Sequence, residues 1–376
     1  MSNPFFIDGY RGTDSFCNRK KELSTIAQNV HSGVHTTIVS FRRMGKTALI
    51  QRAFDQLSKR TTQTVLIDIE ATHNLGQFNA VLATGIARAL YTQRRGVSKH
   101  ITEILQRLRA SVALDAVTLQ PSVEFSFGPT SPSARQSLDE LLAILEEHPK
   151  RVVLAIDEFQ QVASYDGGLM EQELRSRMQQ LRNISFVFAG SKKDMMTTMF
   201  SDGRRPFYHS TSMLGLTEIT ASDWESYIVS QFATSKRHIS ESVVARVLEV
   251  SYRHTFYVLL LCNRLWNTGE KRLKDPLQVD AVLHDLTQQM EVEFFTYRNL
   301  LASGQWSLLS GIGIEGLVSE PTAQAFMSKY NLNSSAAVTK ALAVLLDREL
   351  VLRRDDGLYR VYNPFFSWWA QRRLMF

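Results

Sequence analysis

"IVSFRRMGKTALI", residues 38–50, decides how the chain is read. It departs by one residue from the pattern of a phosphate-binding loop: Gly, four free positions, then Gly-Lys followed by Ser or Thr. Gly45, Lys46 and Thr47 stand in place, but Ser40 occupies the first glycine position. The flanks supply the context the motif needs. Before it, the β-branched run "TTIVS" (36–40) reads as a buried strand; after it, Leu49, Ile50, Ala53, Phe54 and Leu57 mark one face of a helix. In a strand–loop–helix, backbone N–H groups converge on phosphate at the helix N-terminus, where the dipole adds attraction. Ser40 costs little there, because the position mainly permits the turn out of the strand and serine is the next small residue.

Further strands alternate with helices. "TVLIDIE" (64–70) reads as the second strand, with helical sequence from about 76 to 111. A helix at 135–147 leads into "RVVLAIDEF", and one at 169–182 into "ISFVFAGS". This alternation predicts a parallel sheet covered on both faces, with ligands at the carboxyl ends of its strands. The stretch 118–134 interrupts the rhythm and reads as a short hairpin or loop insertion. After about residue 215 the strands are expected to stop. Helices dominate 220–303, the first opening on Ser222 or Asp223 as cap. Three helices and a hairpin around Asp355-Asp356-Gly357 then describe a winged helix.

The expected fold is therefore an α/β P-loop core on a parallel sheet, then an α-helical domain and a C-terminal winged-helix domain. The expected bounds are 1–215, 216–302 and 303–376.

Each strand end carries chemistry. Ser40, Arg42, Arg43, Met44, Gly45, Lys46, Thr47 and Ala48 form the nucleotide-contacting set. Within it Lys46 reaches the β- and γ-phosphates and the Thr47 hydroxyl holds Mg²⁺. Asp157 closes an apolar strand and suits Mg²⁺. Glu158 beside it is a candidate general base for the attacking water. Ser191, at the tip of the next strand, can sense the γ-phosphate. Arg205, next to Arg204, can offer a guanidinium to transition-state charge, from the same or a neighbouring subunit. Lys46, Asp157, Glu158, Ser191 and Arg205 are the expected catalytic set, and Thr47 and Asp157 the metal ligands. Each alone has a bland reading as loop or strand-end polarity. Their order along the chain favours a bound nucleotide, held with Mg²⁺ and hydrolysed.

The bulk numbers agree with this. The 376 residues suggest two or three domains. A formal charge of +6 permits an acidic partner without requiring one. The two cysteines, Cys17 and Cys262, lie far apart and form no metal or disulfide framework, which favours a reducing cytoplasm. Neither a signal peptide nor a membrane-spanning run is expected.

With these motifs in hand, the sequence resembles the AAA-type ATPases found mainly in archaea and in Bacteroidetes, which are related to the STAND class of signalling NTPases. The matching text is "NPFF…FCNRKKEL" (3–23), "SFRRMGKTALI" (40–50), "LAIDEFQQV" (154–162), "FVFAGSKKDMM" (186–196), "RRPFYHSTSMLGL" (204–216) and "YRVYNPFFSWWAQRR" (359–373). Ser40 is characteristic of that subgroup. The resemblance implies an AAA/RecA-like P-loop NTPase core with an α-helical lid and a winged-helix tail, ATP, and a place for Phe16 and Arg19 beside the adenine; a slow and regulated ATPase is expected. It puts His254 where relatives carry a histidine near the phosphates; the alternative is a polar residue opening a buried helix.

Three roles stay open: a nucleotide-dependent switch with a protein partner, a DNA-handling ATPase using the winged helix, and a non-hydrolysing nucleotide-binding scaffold. A homo-oligomer is a further expectation. From 301 to 376, eight basic side chains face six acidic ones, a net of +2, and the recognition helix offers a groove only Lys340 and small hydroxyls. Phosphate contacts want Lys or Arg, so Arg353, Arg354 and Arg360 on the wing are the better candidates for a DNA backbone. The aromatics Tyr359, Tyr362, Phe365, Phe366, Trp368 and Trp369 read as packing between wing and last helix.

Overall fold

The computed structural model describes residues 2–90, 110–114, 121–125, 133–354 and 356–374, with backbone alone at 110–114 and 121–125. The chain divides into two compact units, Gly9–Thr217 and Glu218–Phe376, the second joined by the N-terminal segment through Asp8.

The first unit is built on a parallel sheet. Its strands are β1 (Thr36–Val39), β2 (Thr62–Asp68), β5 (Arg151–Asp157), β6 (Ile184–Gly190) and β7 (Ser212–Gly215), in the order β2-β5-β6-β1-β7. A separate antiparallel pair, β3 (Ala110–Leu114) and β4 (Pro121–Phe125), accounts for part of the expected hairpin; the rest of 118–132, and 91–109 of the expected helical stretch, lie outside the described residues. β6 is buried throughout and β5 from Val152 onward, because both faces are covered. Side chains alternate between those faces with period two. Val152, Leu154 and Ile156 enter one core with Phe78, Leu82 and Ile86 of α3 (Leu75–Leu90). Val153 and Ala155 enter the other, with Leu23 and Ile26 of α1 (Lys20–Ser32) and Leu49 and Ile50 of α2 (Lys46–Gln56). β6 lies between β5 and β1, so the ends of these three strands stand side by side.

Two expectations need correction here. Strands do not stop at 215: His238–Ile239 pairs in parallel with Arg272–Leu273. The cap of the helix Ala221–Thr234 is Thr220, whose hydroxyl accepts from the Asp223 N–H, and not Ser222 or Asp223. The hydroxyl one residue before the first helical turn is the one that reaches an unsatisfied N–H.

In the second unit, helices Ala221–Thr234, Glu241–Val250, Thr255–Asn267 and Leu277–Leu300 precede Ser303–Glu315, Gln324–Lys329 and Ser335–Asp347, then the hairpin Val351–Arg353 and Tyr359–Val361 and the helix Pro364–Arg373. Val351 faces Val361 across the hairpin, and Arg354 and Leu358 close its turn through a backbone bond of 2.8 Å. Asp355 lies outside the described residues. Phe5 inserts between Phe232 and Trp266, at ring distances of 5.3 and 6.2 Å, which ties the N-terminal segment to this unit.

The aromatics of the last helix are core. Phe366 packs on Phe294 and Trp306, and the Trp369 indole N–H donates to Glu291 at 3.0 Å. His254 lies buried between the rings of Tyr257 and Tyr362 where the helix Thr255–Asn267 begins, in keeping with the opening of a buried helix.

Candidate nucleotide site

The loop after β1 folds for two local reasons. Arg43 and Gly45 have positive φ, 56° and 91°, so the backbone passes twice through the left-handed region, the alternation from which anion-binding nests are built. Gly45 must be glycine at that φ. Lys46 is the first residue of α2, and α2 supplies its N-terminal dipole to the loop. Ser40 is fully buried and donates to the Phe41 carbonyl at 3.0 Å, serving the turn as a small residue should. Met44 is buried beneath the loop. Lys46 is also buried, its Nζ donating to the Phe41 carbonyl at 3.3 Å, across the loop it belongs to.

A chain of hydrogen bonds joins this loop to the adjoining strand ends. The Thr47 hydroxyl donates to Asp157 Oδ2 at 2.5 Å. The Glu158 N–H donates to Asp157 Oδ1 at 3.0 Å. Oε2 of Glu158 accepts from the Ser191 hydroxyl at 2.7 Å, the Ser191 N–H at 3.3 Å and Gln160 Nε2 at 2.5 Å. Arg42 Nε closes the chain, donating to the Ser191 hydroxyl at 3.3 Å. Thus Arg42, Lys46, Thr47, Asp157, Glu158 and Ser191 come together as the sequence places them.

The two carboxylates are tuned apart. Burial pushes Asp157 above the ordinary carboxylate range, against the bond from Thr47, and the neighbouring Glu158 charge adds to the rise. Burial acts the same way on Glu158, but donors from Gln160 and Ser191, with the Lys46 charge, hold it below its usual range. A buried carboxylate beside a hydroxyl is an all-oxygen donor pair of the kind magnesium takes, with its remaining positions filled by water and substrate phosphate. Among the described residues no group of three or more His, Cys, Asp and Glu could hold a metal by itself.

Other expected residues lie apart from this network. Phe16 packs edge-on to Tyr10, and Tyr10 donates to Asp55 of α2 at 2.7 Å, so the segment before α1 lies along α2. Arg19 is buried at left-handed φ and pairs with Glu22 at 3.0 Å; among the described residues its Nη2 has no partner. Arg205 is not among the strand-end residues: its guanidinium is held by Glu171 at 2.5 Å, and Glu171 is almost wholly buried. Arg204 pairs with Asp202 in solvent. Sequence reasoning passed over Gln160; its signal was its position two residues after Glu158.

The wing also differs from expectation. Arg360 is not free for a phosphate backbone: it is 5% exposed, donates to Glu218 at 2.8 Å and stacks over Tyr252 at 5.2 Å. Arg354 pairs with Asp356 at 2.9 Å. Of the three wing cations, folding turns Arg360 inward and pairs Arg354, while Arg353 stays exposed, 5.7 Å over the Tyr359 ring.

Residues 16–213 match the family model of an ATPase domain predominantly from Archaea. The chain belongs to that ATPase family. Residues 292–372 of this ATPase-family chain match a second model, a probable winged helix domain. No curated protein shows significant sequence similarity to it. Among solved structures, the chain resembles a Walker-type ATPase of Pyrococcus abyssi, at 14% identity over 98% of this chain and 99% of the other, with a TM-score of 0.68. It also resembles the Aeropyrum pernix ORC2 protein in its ADPNP–ADP complexes, at 13% identity over 98% and 95% of the chains, TM-score 0.61. The Aeropyrum pernix ORC1 protein in complex with DNA follows at 13% identity, 96% and 93% coverage and TM-score 0.51. At these identities the likeness speaks for the fold. Among the described residues no helix is long and apolar enough to cross a membrane.

Proposed function

We propose that this ATPase-family chain binds Mg-ATP, hydrolyses it to ADP and phosphate, and works as a nucleotide-dependent switch. The observation that carries the reading is the hydrogen-bonded chain from Arg42 through Ser191, Glu158 and Asp157 to Thr47, around a phosphate loop with Lys46 at its helix start. The N–H groups of residues 42–47 cradle the phosphates and Lys46 neutralises the β- and γ-oxygens. Thr47 and Asp157 would hold magnesium, whose chemistry there is to screen charge on the same oxygens.

Among the described residues the donors to Glu158 end on Oε2, which leaves Oε1 for a water. Glu158 takes a proton from that water as its oxygen bonds to the γ-phosphorus, the bridging bond breaks and ADP departs. Ser191 touches both Glu158 and the phosphate loop through Arg42, so a change at the γ-position is felt at both. Phe16 and Arg19 keep the place beside the adenine that the resemblance implies, on a segment that lies along α2. The functional divisions are a core within 1–215, whose N-terminal segment through Asp8 packs with the second unit, a helical lid at 216–302 and a winged helix at 303–376. The setting is the cytoplasm.

DNA handling is the second reading, and the match to a winged helix domain favours it. The chain's own offer to DNA is modest, since Arg360 and Arg354 are engaged within the fold. A protein partner for the winged helix fits better. Phosphate release from Mg-ATP by the purified chain tests the proposal, with Lys46→Ala as control. Release that needs Lys46 is expected; release by the variant at the wild-type rate, or none by either, contradicts it.

A further inference from the structure

The motif residues do not account for what holds the base. Gln160 is 5% exposed, and its Nε2 lies 2.5 Å from Glu158 Oε2. Glu158 itself has left-handed φ of 55°, uncommon for a residue with a side chain, and a 3₁₀ run from Phe159 to Gly168 follows. That reversal lets side chains 158 and 160 meet. Phe159, between them, is locked among Phe188, Phe200 and Phe207, with Phe188 at 4.2 Å. Gln160 therefore projects from a rigid element.

We propose that Gln160 is a positioning residue, fixing the Glu158 carboxylate in the pose that receives the attacking water, and that Gly190 is glycine because only glycine leaves room for the Gln160 amide. The inference rests on the reading of Glu158 as the base.

Two further observations separate this role from packing. Among the described residues the Gln160 Oε1 is buried without a hydrogen-bond partner. A side chain kept for stability would satisfy both ends, because a buried acceptor left unpaired costs free energy. Here the amide gives up one end to place its N–H on the Glu158 carboxylate, which can only accept. Gly190 shows the same accommodation. A Cβ there would come within 2.3 Å of Gln160 Oε1 and 2.6 Å of the Met196 side chain. Its backbone is outside the left-handed region, so space and not conformation demands the glycine. Ser191 donates to the same Glu158 oxygen, so Gln160 is one of two side chains that hold the carboxylate.

The test uses the full chain with Mg-ATP and the variants Gln160→Met and Gly190→Ala. Methionine fills the glutamine's volume without a donor; alanine at 190 presses on the amide from the other side. Each should lower kcat roughly tenfold, because a small misplacement of a reacting group is felt strongly. KM for ATP should stay within about twofold, since neither variant touches the phosphate loop. In a Glu158→Gln background, Gln160→Met should cost nothing further, whereas a structural role would lower both backgrounds alike. Wild-type kcat in both single variants, or an equal loss in the Glu158→Gln background, overturns the positioning role alone. A wild type without turnover, or Glu158→Gln at the wild-type rate, overturns the base assignment and this inference with it.

Discussion

Thr47 and Asp157, 110 residues apart in the chain, meet at 2.5 Å where the phosphate loop adjoins the end of β5. The bond leaves Asp157 a buried carboxylate that folding itself disfavours. Burial raises its pKa in the folded state, so its contribution to stability is greatest below the unfolded pKa and falls as pH rises. At neutral pH the charge is therefore a cost. Asp157→Asn should melt at the same temperature or higher than the wild type and lose magnesium-dependent turnover, by scanning calorimetry and phosphate release. A lower melting temperature with activity retained would contradict this account.

His35 has the opposite pH signature. Burial, with the Arg175 charge nearby, pushes its pKa down to about 4, and its Nδ1 accepts from the Phe186 N–H at 3.1 Å. The imidazole must be neutral to accept. Its contribution is thus complete above the unfolded pKa near 6.5 and is lost as pH falls toward about 4. Thermal unfolding at pH 7 and pH 5 should show a fall in the wild type that is smaller in His35→Gln. Equal falls would remove His35 from the explanation.

Arg205 and Glu171 form a pair that reads as structure. Arg205→Ala would strand a carboxylate that is almost wholly buried, at a cost of about 2 kcal/mol or more. Removing both charges in Arg205→Met with Glu171→Leu should recover most of the loss, as a double-mutant cycle by urea denaturation would show. If Arg205→Ala keeps its stability and loses turnover, the guanidinium serves phosphate instead.

Arg360 decides what the wing is for. Arg360→Leu should destabilise the second unit, because Glu218 loses its partner and Tyr252 its stacked guanidinium. Duplex DNA binding, measured by mobility shift at two salt concentrations, should change little. A stable variant that loses DNA binding would favour the DNA-handling reading.

Much of this was legible in the sequence, for reasons that particular residues make plain. The phosphate loop could be read because Gly45, Lys46 and Thr47 are set by chemistry and the flanking strand and helix by periodicity. Asp157 and Ser191 could be read because each ends an apolar run. β7 could not: its four residues alternate half-buried and exposed, too short a pattern to separate from loop. The burial of Arg360 was also hidden, since a charge in a wing strand looks the same whether it faces solvent or Glu218. Phe5 appeared with the core because chain order says nothing about the Trp266 side chain that receives it. Gln160 stood in plain view, but only the distance to Glu158 gives it meaning.

The central claim is that Glu158 performs the hydrolytic step on a nucleotide held by the phosphate loop. The direct measurement is the fate of radiolabelled ATP bound to Glu158→Gln in the presence of magnesium. The account predicts retention of intact ATP with turnover reduced about 10²-fold or more. Release of labelled phosphate by this variant at the wild-type rate would contradict it.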